Sequence, residues 1–236
     1  MKYLQIKLEN DALFRKGDFP EMHSEYVPGT LTGEPVQRTA AFHIEAHFLQ
    51  TDTISAVLQF AGDARVCALT FANANVPGGA YTLGGNAQEE ALCRASLLYY
   101  TIRTVKDFYN ANRLHVKPDY THGMIYSSGV PIIRQNDGTL LDVPQQCDFI
   151  TCPAVNRTYA KAMFPQDVLD RTMQERITQI ILLAAREHPD VLVLGAFGCG
   201  VFGNKREVVY PMFEDAINRY LPEDITVIFA DPRGIS

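Results

Sequence analysis

Two glycine-rich stretches hold the residue types in this sequence that could do chemistry. The first, NVPGGAYTLGGNAQEE (75–90), sets Gly78, Gly79, Gly84 and Gly85 ahead of an amide and two carboxylates, Gln88, Glu89 and Glu90. Glycine adopts positive φ readily and lets a ligand touch the backbone with no Cβ in the way. Carboxylates in the first turn of a helix complement its dipole, which is a sufficient reason for many such pairs. They can also serve as acid and base on a bound substrate. Four glycines are more than a structural turn needs, which favours the chemical reading. A helix N-terminus lowers a carboxylate pKa while a general acid must hold its proton, so an apolar wall or a bound anion would have to restore it. Asn86 is the expected N-cap, and Glu89 three residues on completes a capping box.

The second stretch is GAFGCGVFGN (195–204). Gly198, Cys199, Gly200, Val201, Phe202 and Gly203 match G-x-G-x-x-G, the fingerprint of a dinucleotide-binding unit. Only one helix and one strand follow, and the acid expected about 20 residues on is missing from the end of that strand; Asp231 comes later. An NAD-dependent oxidoreductase is therefore a weak reading. Successive N–H groups ahead of a helix still form a nest for phosphate. Phe202 can face a sugar or base from such a loop, or it can be a core aromatic. Cys199 sits near a helix start, where a thiol pKa can fall, or it serves as a small packing residue.

Other clusters carry less. His43, Glu45 and His47 alternate along one face of an expected strand; that spacing could hold a metal, but a half-covered strand gives the same pattern. His115 and His122 stand in no nucleophile or metal motif. Arg171 to Arg176 reads as an exposed helix face.

The elements that must position the two loops follow from periodicity. Phe42, Ile44, Ala46 and Phe48 alternate with polar residues as a half-buried strand does. Thr51 or Asp52 caps a short helix over 54–60. RVCALTFA (65–72) is a continuous apolar run, as expected of a strand covered on both faces. A long helical pattern over 87–108 follows the first loop. Strands over 123–128 and 148–155, a helix over 166–187, a strand over 191–197, a helix over 205–220 and a strand over 225–230 complete the series. Strands and helices alternate, which predicts one α/β domain with helices on both faces of a mostly parallel sheet, the loops lying at strand ends where such sheets bind ligands. Residues 1–38, polar and broken by Pro20, Pro28 and Pro35, read as a strand or short helix plus a loop wrapped over a core of 39–236.

Composition narrows the function class. The 236 residues are 47% hydrophobic and 20% charged, enough for a sizeable core. A net charge of −6 argues against a surface that grips DNA through its phosphates. The start has no apolar signal core and no apolar run reaches membrane length, so a cytoplasmic protein with no membrane partner is expected. Five scattered cysteines with no C-x-x-C pair fit reduced thiols.

The paired motifs bring a resemblance. NVPGGAYTLGGNAQEEALCRASLLY is similar to the signature of bacterial-type poly(ADP-ribose) glycohydrolases, a Gly-Gly-Gly run, a spacer and then Gln-Glu-Glu. LGAFGCGVFGN resembles the diphosphate-binding loop of the same family. The likeness spans roughly residues 65–230 and implies a three-layer α/β/α macrodomain with a mixed central sheet. It implies hydrolysis of the ribose–ribose bonds of ADP-ribose polymers from the chain end, with no metal and no cofactor. By this resemblance Glu90 is the catalytic acid, Glu89 assists it by bonding and orienting the hydroxyls of the terminal ribose, Gln88 is a substrate-binding residue, and Gly78 and Gly79 shape the loop around that ribose. Gly198 to Gly203 hold the diphosphate, with Phe202 against the ribose. The chain departs from the signature at Ala80, the third glycine, where a methyl would crowd the ribose or shift the loop. It departs again at Val76, where Asn73 and Asn75 are close enough to replace a lost polar contact. The implied ligands are ADP-ribose, poly(ADP-ribose) or an ADP-ribosylated macromolecule. A reader that binds ADP-ribose without cleaving it, or a hydrolase of another ADP-ribosyl linkage, fits the same loops.

Overall fold

The computed structural model describes residues 2–235. A helix α1 (Lys2–Lys16) and a strand β1 (His23–Val27) open the chain. A 3-10 turn at Ile44–His47 leads into a two-residue strand β2 (Phe48–Leu49), a helix α2 (Thr53–Leu58) and β3 (Val66–Phe71). After the first glycine loop come three short helices, α3 (Gln88–Ala95), α4 (Leu98–Ile102) and α5 (Lys106–His115). The hairpin strands β4 (Met124–Arg134) and β5 (Leu140–Cys152) follow, then α6 (Arg157–Ala160) and α7 (Gln166–Glu187). β6 (Val191–Leu194), α8 (Arg206–Tyr220) and β7 (Thr226–Ala230) finish the series.

The seven strands form one mixed sheet in the order β1-β4-β5-β3-β6-β7-β2. β3 pairs in parallel with β5 and β6, and β7 in parallel with β6 and β2, while β1, β4 and β5 meet antiparallel. Alternate side chains of β3 explain the layering. Cys67 and Leu69 enter the core under α7 and α8, whereas Val66 and Ala68 enter the core under α2 to α5. A strand apolar on both faces needs helices on both, so the expected α/β/α layering is what the chain builds.

Three expectations from the sequence are corrected. The alternation over 42–48 is not a strand: the stretch turns in a 3-10 helix before β2, because Phe42 N–H and Ile44 N–H are drawn to Asn218 Oδ1 and Glu214 Oε1 on α8. The helical pattern over 87–108 is interrupted. Ser96 is extended at φ −137° and bridges Ile132 of β4, and Leu97 N–H donates to Pro131 O, so sheet edge and helix compete and the helix breaks. Arg176 is fully buried rather than exposed, its guanidinium donating to Pro153 O and Tyr120 O. Residues 1–38 do more than wrap the core, since β1 adds an edge strand against β4. Among the described residues no helix is long and apolar enough to cross a membrane, and no group of three or more His, Cys, Asp or Glu stands ready for a metal.

Candidate active site

The parallel strands β3, β5, β6 and β7 all end at one side of the sheet, and a cleft of about 590 Å³ opens there. Its walls include Phe71 at the end of β3, Ala154 beyond β5, Ala196 and Gly198 beyond β6, and Asp231 beyond β7. This is where an open α/β sheet binds ligands, because crossovers diverge and leave a crevice.

One wall of the cleft is the second glycine loop. Gly198 (φ +71°) turns so tightly that a Cβ there would sit 2.5 Å from Ala154 Cβ and 2.6 Å from Asn204 Nδ2. Asn204 Nδ2 in turn donates to Val155 O, and Thr158 of α6 donates through its hydroxyl to Val201 O and through its N–H to Phe202 O. The loop is thereby held from outside the cleft. Among the described residues the N–H groups of Gly200, Val201 and Phe202 donate to no protein group, giving three consecutive amides beside the cleft. Such a run is a nest for an anion. Phe202 is half-buried, packs on the core and also lines the cleft. Burial pushes the Cys199 thiol up to about 11, which overturns the low-pKa reading: desolvation outweighs the nearby Arg206 charge.

The opposite wall is the first turn of α3, where three consecutive side chains go three ways. Gln88 lines the cleft but its amide is engaged by the protein: Oε1 accepts from Phe71 N–H (2.9 Å), and Nε2 donates to Leu69 O (2.8 Å) and Thr53 Oγ1 (3.2 Å). Glu89 and Glu90 turn under the 73–80 loop and are only 3% and 7% exposed. Glu89 Oε2 accepts from Asn73 N–H at 2.7 Å, and Glu90 Oε1 accepts from Ala80 N–H at 2.8 Å. The second oxygen of each, Glu89 Oε1 and Glu90 Oε2, is buried with no partner in the protein. Burial pushes the Glu89 carboxyl well above the usual carboxylate value, against the Asn73 N–H bond that lowers it, and the Glu90 charge adds to the rise. At Glu89, then, burial wins over the helix end.

The glycines of the first loop make this packing possible. Gly78 and Gly79 lie at φ +68° and +56°, and a Cβ on Gly79 would stand 2.6 Å from Glu90 Oε1 and 3.1 Å from Glu89 Oε2. Both carboxylates therefore press on backbone that has no side chain. Ala80 sits at φ −91°, an ordinary angle for alanine. Its methyl fills the space that a side chain on Gly85 would need, 2.7 Å from that Cβ position, so the loop absorbs the departure from three glycines within itself. Asn73 closes an Asx turn, its Oδ1 accepting from Asn75 N–H and Val76 N–H, which holds the chain between the β3 end and the glycines.

Two groups of residues thus emerge. Gln88, Gly198, Gly200, Val201 and Phe202 border the cleft; Asn73, Asn75, Gly78, Gly79, Ala80, Glu89 and Glu90 form the carboxylate nest behind it, and Cys199 and Gly203 support the loop without lining the cleft. The two meet at the first turn of α3. The capping box is not formed: Ala87 is the N-cap and makes no side-chain cap, because Asn86 Oδ1 instead accepts from Arg94 Nη2 (2.7 Å). Sequence reasoning missed Asp231 and Arg233 as cleft residues. Burial raises the Asp231 carboxyl, yet Arg206 Nε at 2.6 Å and Arg233 N–H at 3.0 Å hold it below its ordinary value. The signal available was their position just past the last apolar strand. Asp52, read as a cap, does cap α2 by accepting from Ser55 N–H at 3.0 Å and also borders the cleft.

Comparison with known proteins gives a consistent family. The family model described as microbial-type PARG, catalytic domain, matches residues 10–135. A search of curated protein sequences returned no match. Among solved structures, poly(ADP-ribose) glycohydrolase from Thermomonospora curvata bound to the inhibitor ADP-HPD is 33% identical, with TM-score 0.74, covering 79% of this chain and 72% of that one. A further structure of the T. curvata protein is 30% identical with TM-score 0.78, over 88% and 79% of the two chains. The Deinococcus radiodurans glycohydrolase in complex with ADP-ribose is 33% identical with TM-score 0.72, over 78% and 75%.

Proposed function

This chain belongs to the microbial-type poly(ADP-ribose) glycohydrolase family, and on that footing we propose that its two loops divide the work of cleaving a ribose–ribose bond. The protein is a glycoside hydrolase whose ligand is ADP-ribose, in polymer or attached form. The observation that carries the site assignment is the pair of buried carboxylates, each with one oxygen held by a loop amide and the other left free.

Glycosidic cleavage needs a proton for the leaving oxygen and support for an oxocarbenium-like transition state. Glu90 supplies the proton and, once ionised, takes one from the attacking water. Its Oε1 is fixed by Ala80 N–H, which leaves Oε2, without a protein partner, as the oxygen that meets the leaving group. Glu89, raised by burial, orients the hydroxyls of the terminal ribose. Gly78, Gly79 and Ala80 bring backbone against that ribose, and Asn73 and Asn75 keep their loop in place. The three free amides of Gly200, Val201 and Phe202, with Gly198, Cys199 and Gly203 as their frame, receive the diphosphate, and the Phe202 ring lies against the ribose. Gln88 contributes through the docking of α3 rather than through a free amide. Cleavage proceeds from the chain end. The 236 residues act as one catalytic unit, with 1–38 packed on a core of 39–236.

The test is release of ADP-ribose from purified poly(ADP-ribose) by wild type and Glu90→Gln, with ADP-ribose affinity measured on both. Loss of about 10²-fold or more in kcat with affinity kept within a few-fold is the expected result for a missing general acid. Equal turnover in the variant would remove Glu90 from the mechanism. Binding without release by wild type would leave a reader, or a hydrolase of a different ADP-ribosyl linkage.

A further inference from the structure

Helix α1 buries only two of its fifteen residues, Ile6 and Asn10, and Asn10 is completely inaccessible. A buried amide is costly unless its donors and acceptor are all used. Asn10 Nδ2 donates to the main-chain oxygen of Arg94 (2.9 Å) and toward Tyr81 Oη (3.4 Å), while Oδ1 accepts from Arg134 Nε (2.9 Å). Arg94 is in the last turn of α3, whose carbonyls have no helical partner. Tyr81 follows directly on Ala80, whose N–H holds Glu90. One side chain thus ties the far end of the helix that carries the acids to the loop that caps them.

The same helix grips the rest of that loop through Arg94. The Arg94 guanidinium donates to Gly85 O and to Asn86 Oδ1 (2.7 Å), and the Tyr3 ring of α1 covers it at 4.0 Å. Leu4 lies 3.5 Å from where a Cβ on Gly84 would be. A third tie runs from Asp11 to Tyr100, whose hydroxyl donates to Oδ1 at 2.7 Å. Residues 3–10 therefore hold segment 80–94 at Tyr81, Gly84 and Arg94, Asp11 ties α1 to α4 just beyond it, and none of these residues lines the cleft or meets the carboxylates.

We propose that α1 is a clamp on the catalytic segment and that Asn10 is a positioning residue for Glu90. The proposal rests on the glycohydrolase reading of the site. Loosening the clamp lets the Ala80 amide and the first turn of α3 drift apart. A displacement approaching 1 Å at reacting groups lowers turnover by about 10²-fold. The diphosphate loop has its own supports in Thr158 and Asn204, so ligand affinity is spared.

The experiment compares full-length wild type, Asn10→Leu, Tyr3→Ala and Ile180→Ala. Asn10→Leu keeps the volume and removes the three bonds. Ile180→Ala removes buried packing on α7, in the other core layer, and touches no residue of α1 or of segment 80–94. The expected result for Asn10→Leu is a 10- to 100-fold lower kcat with KM and ADP-ribose affinity within about threefold. Its hydrogen exchange over residues 80–86 speeds up, and Tyr3→Ala shows the same pattern more weakly. Ile180→Ala lowers the melting temperature but keeps wild-type kcat at temperatures where it is folded. Equal kcat losses in Ile180→Ala and Asn10→Leu at matched melting temperature would reduce the effect of Asn10 to plain destabilisation and overturn the proposal. Should Asn10→Leu not fold, unchanged kcat and unchanged exchange in Tyr3→Ala would overturn it as well. A wild type inactive on the polymer would instead sink the functional reading, and the exchange data would then decide on the clamp alone.

Discussion

Replacing Gly79 by alanine tests how tightly the glycine loop and the acids depend on one another. Gly79 is at φ +56°, where an L-residue costs about 1–2 kcal/mol. For a domain of this size each kcal/mol lowers the melting temperature by about 2–4 °C, so backbone strain alone accounts for a drop of roughly 2–8 °C. The new methyl would also lie 2.6 Å from Glu90 Oε1 and 3.1 Å from Glu89 Oε2. Ordinary contact begins near 3.4 Å, so Glu90 and the loop must part by several tenths of an ångström, and the Ala80 N–H bond to Glu90 opens with them. Displacement on that scale corresponds to a loss of about 10²-fold in turnover. The assay is steady-state ADP-ribose release from poly(ADP-ribose) with a thermal melt on the same preparation. A Gly79→Ala protein that melts several degrees low yet keeps wild-type kcat/KM would refute the link between this backbone and the acids.

Two further predictions separate the loops. Gly200 has a negative φ and open space around its Cβ position, so Gly200→Ala leaves the melting temperature within about 2 °C; the methyl projects beside the cleft that Gly200 lines, and ADP-ribose affinity is expected to fall about tenfold or more by titration calorimetry. Unchanged affinity would move the diphosphate elsewhere. For Glu89 the folded carboxyl is raised, so the folded state binds the proton more tightly than the unfolded one, and wild-type stability falls as pH climbs from about 4.5 toward the folded value. Glu89→Gln removes that penalty: its melting temperature matches or exceeds wild type at pH 8 and the difference closes near pH 4.5, whereas parallel curves would show that Glu89 is not so perturbed.

How much of this was legible in the residues divides by mechanism. β3, α7, α8 and β7 stand where periodicity placed them, because each has an unbroken apolar face whose period belongs to one element type. The two loops were visible because glycine is rare in clusters without a steric reason, and Gly79 and Gly198 meet such reasons. What failed was local preference overruled by distant partners. Ser96 leaves its helix for Ile132 of β4, and the 42–48 stretch bends toward Asn218 and Glu214 more than 160 residues away. β1 (HSEYV) is too short and polar to announce itself, and exists because β4 offers an open edge. Arg176 misled because its charge suggests solvent, whereas two main-chain carbonyls, Pro153 O and Tyr120 O, accept hydrogen bonds from its guanidinium. Asn10 gave no signal in isolation; its value lies in three partners between 71 and 124 positions along the chain.

The docking of α3 has a consequence for how the protein fails on heating. Eight residues are too few for a helix to persist on its own in water. Its first turn is instead pinned by Gln88 to β3, by Glu89 to Asn73 and by Glu90 to Ala80. Two of those pins are the acids themselves, so in the proposed mechanism the groups that do the chemistry also hold their own platform. Releasing these three pins displaces both acids while leaving the strand ladders intact. The expected order on heating is loss of activity on the polymer at or before the fall of the far-ultraviolet signal of the sheet and long helices.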